Sequence, residues 1–157
     1  MQLQEVQNSN ELLEVVKLEK ELFSNYVNFW SLDSFKEIVK NKDKYIFKIL
    51  KKDNKVIGYI IFLIIDADTS ELHKITISKD YQGQGLSKLL FNQVADDLQL
   101  KNIFKIILEV MIDNRAAISL YNSIGFKKIG SRKNYYKIID NLDNIISKDA
   151  LVMELKL

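Results

Sequence analysis

One segment of this 157-residue chain has the makings of an anion cradle: Gln82-Gly83-Gln84-Gly85-Leu86-Ser87-Lys88, set between an apolar strand-like run and a helical one. Glycines let a backbone turn successive N–H groups inward, and a helix starting just beyond adds free donors and the positive end of its dipole. A pyrophosphate suits such a nest. The segment lacks the GK[ST] ending of a P-loop and the third glycine of a dinucleotide fingerprint, and two glycines alone also suit a plain strand-to-helix turn. Glu109 stands out because it interrupts an apolar run and shares a strand face with Ile107 and Met111. It reads as a general base in a low-dielectric setting, or as a strand-end carboxylate paired with a lysine. Tyr121 follows Asn114 by seven residues, nearly two helical turns, so the two share one stripe. A phenol is protonated at neutral pH and can release a proton, although a core tyrosine would show the same spacing. Asn114 is a natural helix N-cap. Arg132, Asn134, Tyr135 and Tyr136 form a cluster that reads either as a groove wall or as a polar strand face.

Composition narrows the chemistry further. Cysteine is absent and His73 is the single histidine, which excludes disulfides, thiolate zinc sites, a cysteine nucleophile and a multi-histidine metal site. No metal is expected. His73 reads as structural. The net charge is +2, and only Arg115 and Arg132 among the 23 basic residues are arginine, which argues against direct nucleic-acid binding. No apolar run approaches the roughly 18 residues of a membrane span; residues 56–65 come nearest and contain Gly58 and Tyr59. The first five residues have neither a basic nor an apolar signal region, so the expectation is a cytoplasmic protein that avoids membranes. A monomer or weak dimer is expected.

The elements that must carry these residues follow from periodicity. Residues 3–7 read as a short edge strand, and Asn8-Ser9-Asn10-Glu11 precede a 3.6-residue pattern through Leu12, Val15, Val16, Leu22 and Phe23. A second helix starts near 31–33 and carries Phe35, Ile38 and Val39. Strands at 45–51 and 56–65 flank the turn residues Asp53-Asn54, and a third strand ends at Ile77. Apolar positions from Leu86 to Leu100 mark a long helix. Residues 102–111 form a nearly continuous apolar strand, expected to be buried on both faces. A helix spans 114–124 up to Gly125, strands at 126–136 and 150–157 complete the set, and the Asn- and Asp-rich stretch 138–148 reads as a loop. With no repeat, linker or composition shift, residues 1–157 are expected to be a single α+β domain around a mixed sheet.

In these residues and their spacing the chain resembles the GNAT acetyltransferase superfamily. Gln82, Gly85 and Ser87 fill the fixed positions of that family's Q/R-x-x-G-x-G/A loop, Ser87 replacing the usual Gly or Ala. The stretch from Leu108-Glu109-Val110 through Asn114-Arg115-Ala116-Ala117 to Tyr121-Asn122-Ser123-Ile124-Gly125-Phe126 resembles its fifth-strand and fourth-helix motif. Arg132-Lys133-Asn134-Tyr135-Tyr136, Asp149-Ala150-Leu151-Val152-Met153 and Phe29-Trp30-Ser31 are similar to one branch, the ribosomal-protein-alanine N-acetyltransferases or RimI family.

The resemblance implies a mostly antiparallel six- to seven-stranded sheet with about four helices, splayed between the fourth and fifth strands. It implies acetyl-CoA as donor, held by Ile75, Thr76, Ile77, Gln82, Gly83, Gln84, Gly85, Leu86, Ser87, Lys88 and Asn114, with an oxyanion donor near the Ile77 N–H. It makes Glu109 the base and Tyr121 the acid of direct transfer in a ternary complex, and it places Trp30, Arg132, Asn134, Tyr135 and Tyr136 at the acceptor. The implied acceptor is the N-terminal amine of a protein, a small-subunit ribosomal protein beginning with alanine. At pH 7 an α-amine is about one-seventh neutral and a lysine about one part in 2,500, so a lone carboxylate has the easier task at an N-terminus. Two alternatives stand beside this: a GNAT enzyme acting on a polyamine, aminoglycoside or amino acid, and a non-catalytic acyl-CoA-binding module.

Overall fold

The computed structural model describes residues 1–157. The order of elements is β1 (Gln2–Gln4), α1 (Ser9–Phe23), α2 (Leu32–Lys40), β2 (Tyr45–Lys52), β3 (Lys55–Ile64), β4 (Thr69–Ile77), α3 (Leu86–Leu100), β5 (Lys105–Met111), α4 (Arg115–Ile124), β6 (Lys127–Ile139) and β7 (Ile145–Lys156). All seven strands join one sheet in the order β1-β2-β3-β4-β5-β7-β6. Every pairing is antiparallel except β4 with β5. This is the mixed sheet with four helices that the family resemblance implied.

Local chemistry accounts for most element boundaries. The Asn8 side chain accepts the Glu11 N–H at 3.0 Å to start α1, and the Ser31 hydroxyl accepts the Ser34 N–H at 3.2 Å to start α2. Asp53 and Asn54, both with positive φ, make the expected turn between β2 and β3. Each face of the sheet carries its own core. Ile60 and Phe62 of β3 join Leu90, Phe91 and Val94 of α3 on one side, while Tyr59 and Ile61 join Val15 of α1 and Phe35 of α2 on the other. All four β3 residues are completely buried.

Two expectations need correcting. The doubly buried strand is β3 rather than β5: Ile106, Leu108 and Val110 are buried, whereas Lys105, Ile107 and Glu109 between them are only half-buried. Nothing packs fully over the second face of β5, because the sheet opens there. The stretch 138–148 is not a loop either. Ile138 pairs with Ile146 and Ile139 with Ile145, extending the β6–β7 hairpin almost to its tip. β-Branched residues facing across the hairpin outweigh the turn-forming residues, which are confined to 140–144, where Asp140 Oδ1 accepts the Leu142 and Asn144 N–H groups at 2.8 and 2.9 Å.

The feature that positions the site is a divergence in the middle of the sheet. β4 and β5 pair only over residues 69–71 and 105–107. Just beyond, the β3–β4 register passes from Phe62 opposite Leu72 to Ile61 opposite Lys74, leaving His73 as the extra residue of a bulge. A bulge bends its strand and increases its twist, and here it carries the rest of β4 away from β5. Gly58 serves the same end of β4. A Cβ there would lie 2.6 Å from the Thr76 carbonyl oxygen, a main-chain contact that cannot yield, so only glycine lets β3 approach residues 76 and 77 this closely.

Candidate active site

Beyond residue 71, β4 hydrogen-bonds only to β3, and its other edge faces the opening with unpaired main-chain groups. An extended polar chain lying in the gap would find a strand to pair with. Of the three residues expected there, Ile75 and Thr76 line the cleft, whereas the Ile77 side chain turns into the α3 core.

Past the end of β4 the backbone turns through the glycine segment. Gly83 and Gly85 have φ of 73° and 74°, the left-handed region, and nothing lies within 4 Å of where their Cβ atoms would be. Gly85 is the N-cap of α3 and supplies no side-chain cap. No N–H from residue 83 to residue 88 finds an acceptor within the chain, which leaves a run of free donors at the positive end of a fifteen-residue helix. The segment therefore fits a pyrophosphate through its backbone. Its side chains do other work: Leu86 anchors the loop in the core, the Gln82 amide donates to the Ile77 carbonyl at 2.9 Å, and Gln84 donates to the Asp80 carbonyl at 3.3 Å. Lys88 reaches the Ser123 carbonyl at 2.9 Å near the C-terminus of α4. Ser87 is half-buried in the first turn of α3.

The divergence opens a cleft of about 430 Å³ whose walls come from both faces of the sheet. Tyr121, from α4, belongs to the core on the α3 side. Glu109 projects from β5 to the opposite face, since its neighbours Leu108 and Val110 fill that core. Both line the same cleft, as does Asn114, whose side chain accepts the Ala117 N–H at 3.2 Å and caps α4 as its position suggested. Burial pushes the Tyr121 phenol well above the usual tyrosine range, so it carries its proton at any ordinary pH. A carboxylate and a protonated phenol thus meet from opposite sides of one sheet.

The carboxylate is not free. Arg132 Nε lies 2.8 Å from Glu109 Oε1, a pairing by arginine where sequence reasoning had weighed lysine. Arg132 reaches it from a second irregularity, a register shift in β6 between residues 132 and 136. Asn134 sits inside that bulge with a φ of 53°, its N–H held by Asp149 Oδ1 at 2.8 Å. It shapes the backbone and does not line the cleft. Tyr135 and Tyr136 do. Tyr136 donates its hydroxyl to the Glu109 carbonyl at 3.1 Å, and the Tyr135 phenol is pushed up to about 12, first by burial and then by Glu109. The Arg132 guanidinium lies 5.4 Å from the centre of the Tyr135 ring.

The far wall is the segment between α1 and α2, with Tyr26, Asn28, Phe29 and Trp30. A buried junction that sequence reasoning missed holds it. Glu19 of α1 is completely buried; it accepts hydrogen bonds from the Tyr59 hydroxyl and the Lys74 ammonium, and from the Trp30 N–H at 3.0 Å. Lys74 in turn lies 4.4 and 4.9 Å from the centres of the Phe23 and Trp30 rings. The available signal was a glutamate four residues after Val15, on the apolar stripe of an amphipathic helix. Glu71 was missed as well. It lies on the cleft wall with His73 Nε2 at 3.5 Å, and that imidazole, then the Arg132 charge, hold its carboxyl below the usual carboxylate range against the opposing effect of burial.

Residues 12–126 match the acetyltransferase (GNAT) family. Over 113 residues, 72% of either chain, the sequence is 33% identical to the [ribosomal protein bS18]-alanine N-acetyltransferase of Escherichia coli K12. The crystal structure of the ribosomal-protein-S18-alanine N-acetyltransferase from Escherichia coli superposes with a TM-score of 0.80 at 26% identity, covering 99% of this chain and 92% of that one. The spermidine N-acetyltransferase of Vibrio cholerae, solved with CoA and spermine, shares the fold at a TM-score of 0.80 and 22% identity, covering 99% and 94%.

Proposed function

The chain belongs to the GNAT acetyltransferase family, and on that premise we propose that it moves the acetyl group of acetyl-CoA to the N-terminal α-amine of a protein, an alanine-starting ribosomal protein of the small subunit, without a covalent enzyme intermediate. The observation that carries this reading is the parting of β4 and β5, which brings Glu109 and Tyr121 to one cleft from opposite faces of the sheet. The donor enters from the α3 side, its pyrophosphate on the free N–H groups of residues 83–88 and its arm along the unpaired edge of β4 toward Asn114. The acceptor enters from the α1 side, between Trp30 and the Tyr135–Tyr136 wall.

Each residue then has one task. Glu109 takes a proton from the acceptor amine, freeing the lone pair that attacks the thioester carbon. The C–N bond forms, and the main-chain N–H groups at the end of β4 meet the developing oxyanion. The C–S bond breaks, Tyr121 gives its proton to the departing thiolate, and the second proton shed by the acetylated nitrogen restores the phenol while Glu109 returns the first to water. The absence of cysteine from the chain accords with direct transfer. The RimI-type relative at 33% identity supports an N-terminal acceptor.

The test is a competition. Acetyl-CoA is offered with a peptide bearing the free N-terminal alanine of the small-subunit ribosomal protein, a lysine-containing peptide with a blocked N-terminus, and spermidine, and the products are read by mass spectrometry. Acetylation is expected on the free N-terminus. Transfer confined to spermidine or to the lysine side chain would overturn the acceptor assignment.

A further inference from the structure

A carboxylate that is to take a proton is badly served by an arginine, because a neighbouring cation opposes proton uptake. Yet Arg132 Nε sits 2.8 Å from Glu109 Oε1. The two partners are unequally placed: the Glu109 side chain is 12% exposed on the cleft wall, whereas that of Arg132 is 60% exposed and reaches in from outside. No other hydrogen bond or ion pair holds the guanidinium; it rests only over the Tyr135 ring. A second carboxylate, Glu71, lies on the same wall, where β4 and β5 are still paired opposite Ile107, and already feels the Arg132 charge.

We infer that Arg132 is a resident cation standing where the acceptor's ammonium must go, and that a cationic amine entering the cleft displaces it from Glu109 toward Glu71. This rests on the proposed role of Glu109 and deepens it: the acceptor arrives as the protonated amine. With Arg132 gone, Glu109 faces the incoming ammonium, takes one N–H proton onto Oε1 and leaves a neutral amine beside the thioester. Without an acceptor the base stays neutralised by a group that cannot be acetylated in its place. The bulge in β6 puts that group on an irregular backbone, and Arg132 is a positioning residue that acts through Glu109.

Steady-state kinetics with saturating acetyl-CoA and the free-alanine peptide test this, with folding of each variant checked by its melting curve. Because the resident cation competes with the acceptor, Arg132→Gln should lower the acceptor KM about two- to fivefold, the strength of an exposed ion pair, and raise kcat/KM. Arg132→Lys, which keeps a cation, should restore the wild-type KM. Glu71→Gln should lower kcat/KM by removing the place to which Arg132 withdraws, and that loss should vanish in the Glu71→Gln, Arg132→Gln double variant. A KM that rises in Arg132→Gln would mean that the arginine binds the acceptor itself, and an unchanged KM that it does not compete; either overturns the inference. So does a Glu71→Gln loss of equal size in both backgrounds. Glu109→Gln separates this failure from that of the proposed function: if it keeps full turnover the base assignment falls and the inference with it, whereas an inactive Glu109→Gln beside a raised or unchanged Arg132→Gln KM removes the inference alone.

Discussion

In the proposed mechanism Tyr121 is the proton donor, and such a group must hold its proton until the moment of transfer. Its phenol is 8% exposed, and burial moves it above the usual tyrosine range, so the protonated form persists past the pH at which a free tyrosine ionises. Tyr121→Phe keeps the ring that packs against Phe126 and removes only the hydroxyl. Its kcat should fall by about 10²–10⁴ while the melting temperature barely moves. Since the pKa is raised rather than depressed, Tyr121 should impose no loss of kcat in the wild type between pH 7 and about pH 10. A Tyr121→Phe rate within twofold of wild type would show that the thiolate leaves without help from this residue.

Elements contribute by being irregular where regularity would close the site. The His73 bulge in β4 and the 132–136 bulge in β6 each turn side chains toward the cleft, and α1 holds the third wall through Glu19. Glu19 ties α1 to β3, to β4 and to the α1–α2 connection by one carboxylate, and Lys74, its ionic partner, is itself mostly buried. Burial pulls the Lys74 ammonium below the usual lysine range, with Glu19 partly offsetting that effect. Glu19→Ala would strand this charge and unpair the Trp30 N–H and the Tyr59 hydroxyl, costing about 3–5 kcal/mol by urea unfolding. In the surviving folded fraction, amide exchange should quicken across residues 24–31 ahead of the sheet. A loss below about 1 kcal/mol would mean that the junction is not what holds the α1–α2 wall of the cleft.

At the scale of the whole molecule, a sheet filled on both faces leaves several phenols with nowhere to ionise. Tyr59, Tyr121 and Tyr136 are all raised, in each case first by burial. A group raised in the folded state binds its proton more tightly there than in the unfolded chain, so its stabilising contribution is whole below the unfolded value near 10 and is lost as pH climbs beyond it. The urea midpoint should therefore hold steady from pH 7 to about 9.5 and drop above about pH 10; a midpoint still level at pH 11 would contradict the burial of these hydroxyls. Much of the chain could be read without coordinates. Periodicity located all four helices, local capping by Asn8 and Asn114 set two of their starts, and the glycine segment announced free N–H donors, because these depend on residues a few positions apart. Glu109 and Tyr121 stood out by residue type. Their meeting did not, since one strand face and one helix stripe come together only where β4 and β5 part, and that parting depends on a bulge and on a pairing that stops at residue 71. The Arg132–Glu109 pair joins residues 23 positions apart, and the Glu19 junction joins residues 11, 40 and 55 positions apart, through the folded sheet. Local sequence determined the helices, the turn between β2 and β3 and the candidate residues of the site; long-range pairing decided the length of the β6–β7 hairpin and which charges face each other, because Coulomb attraction and burial depend on distance in space, not along the chain.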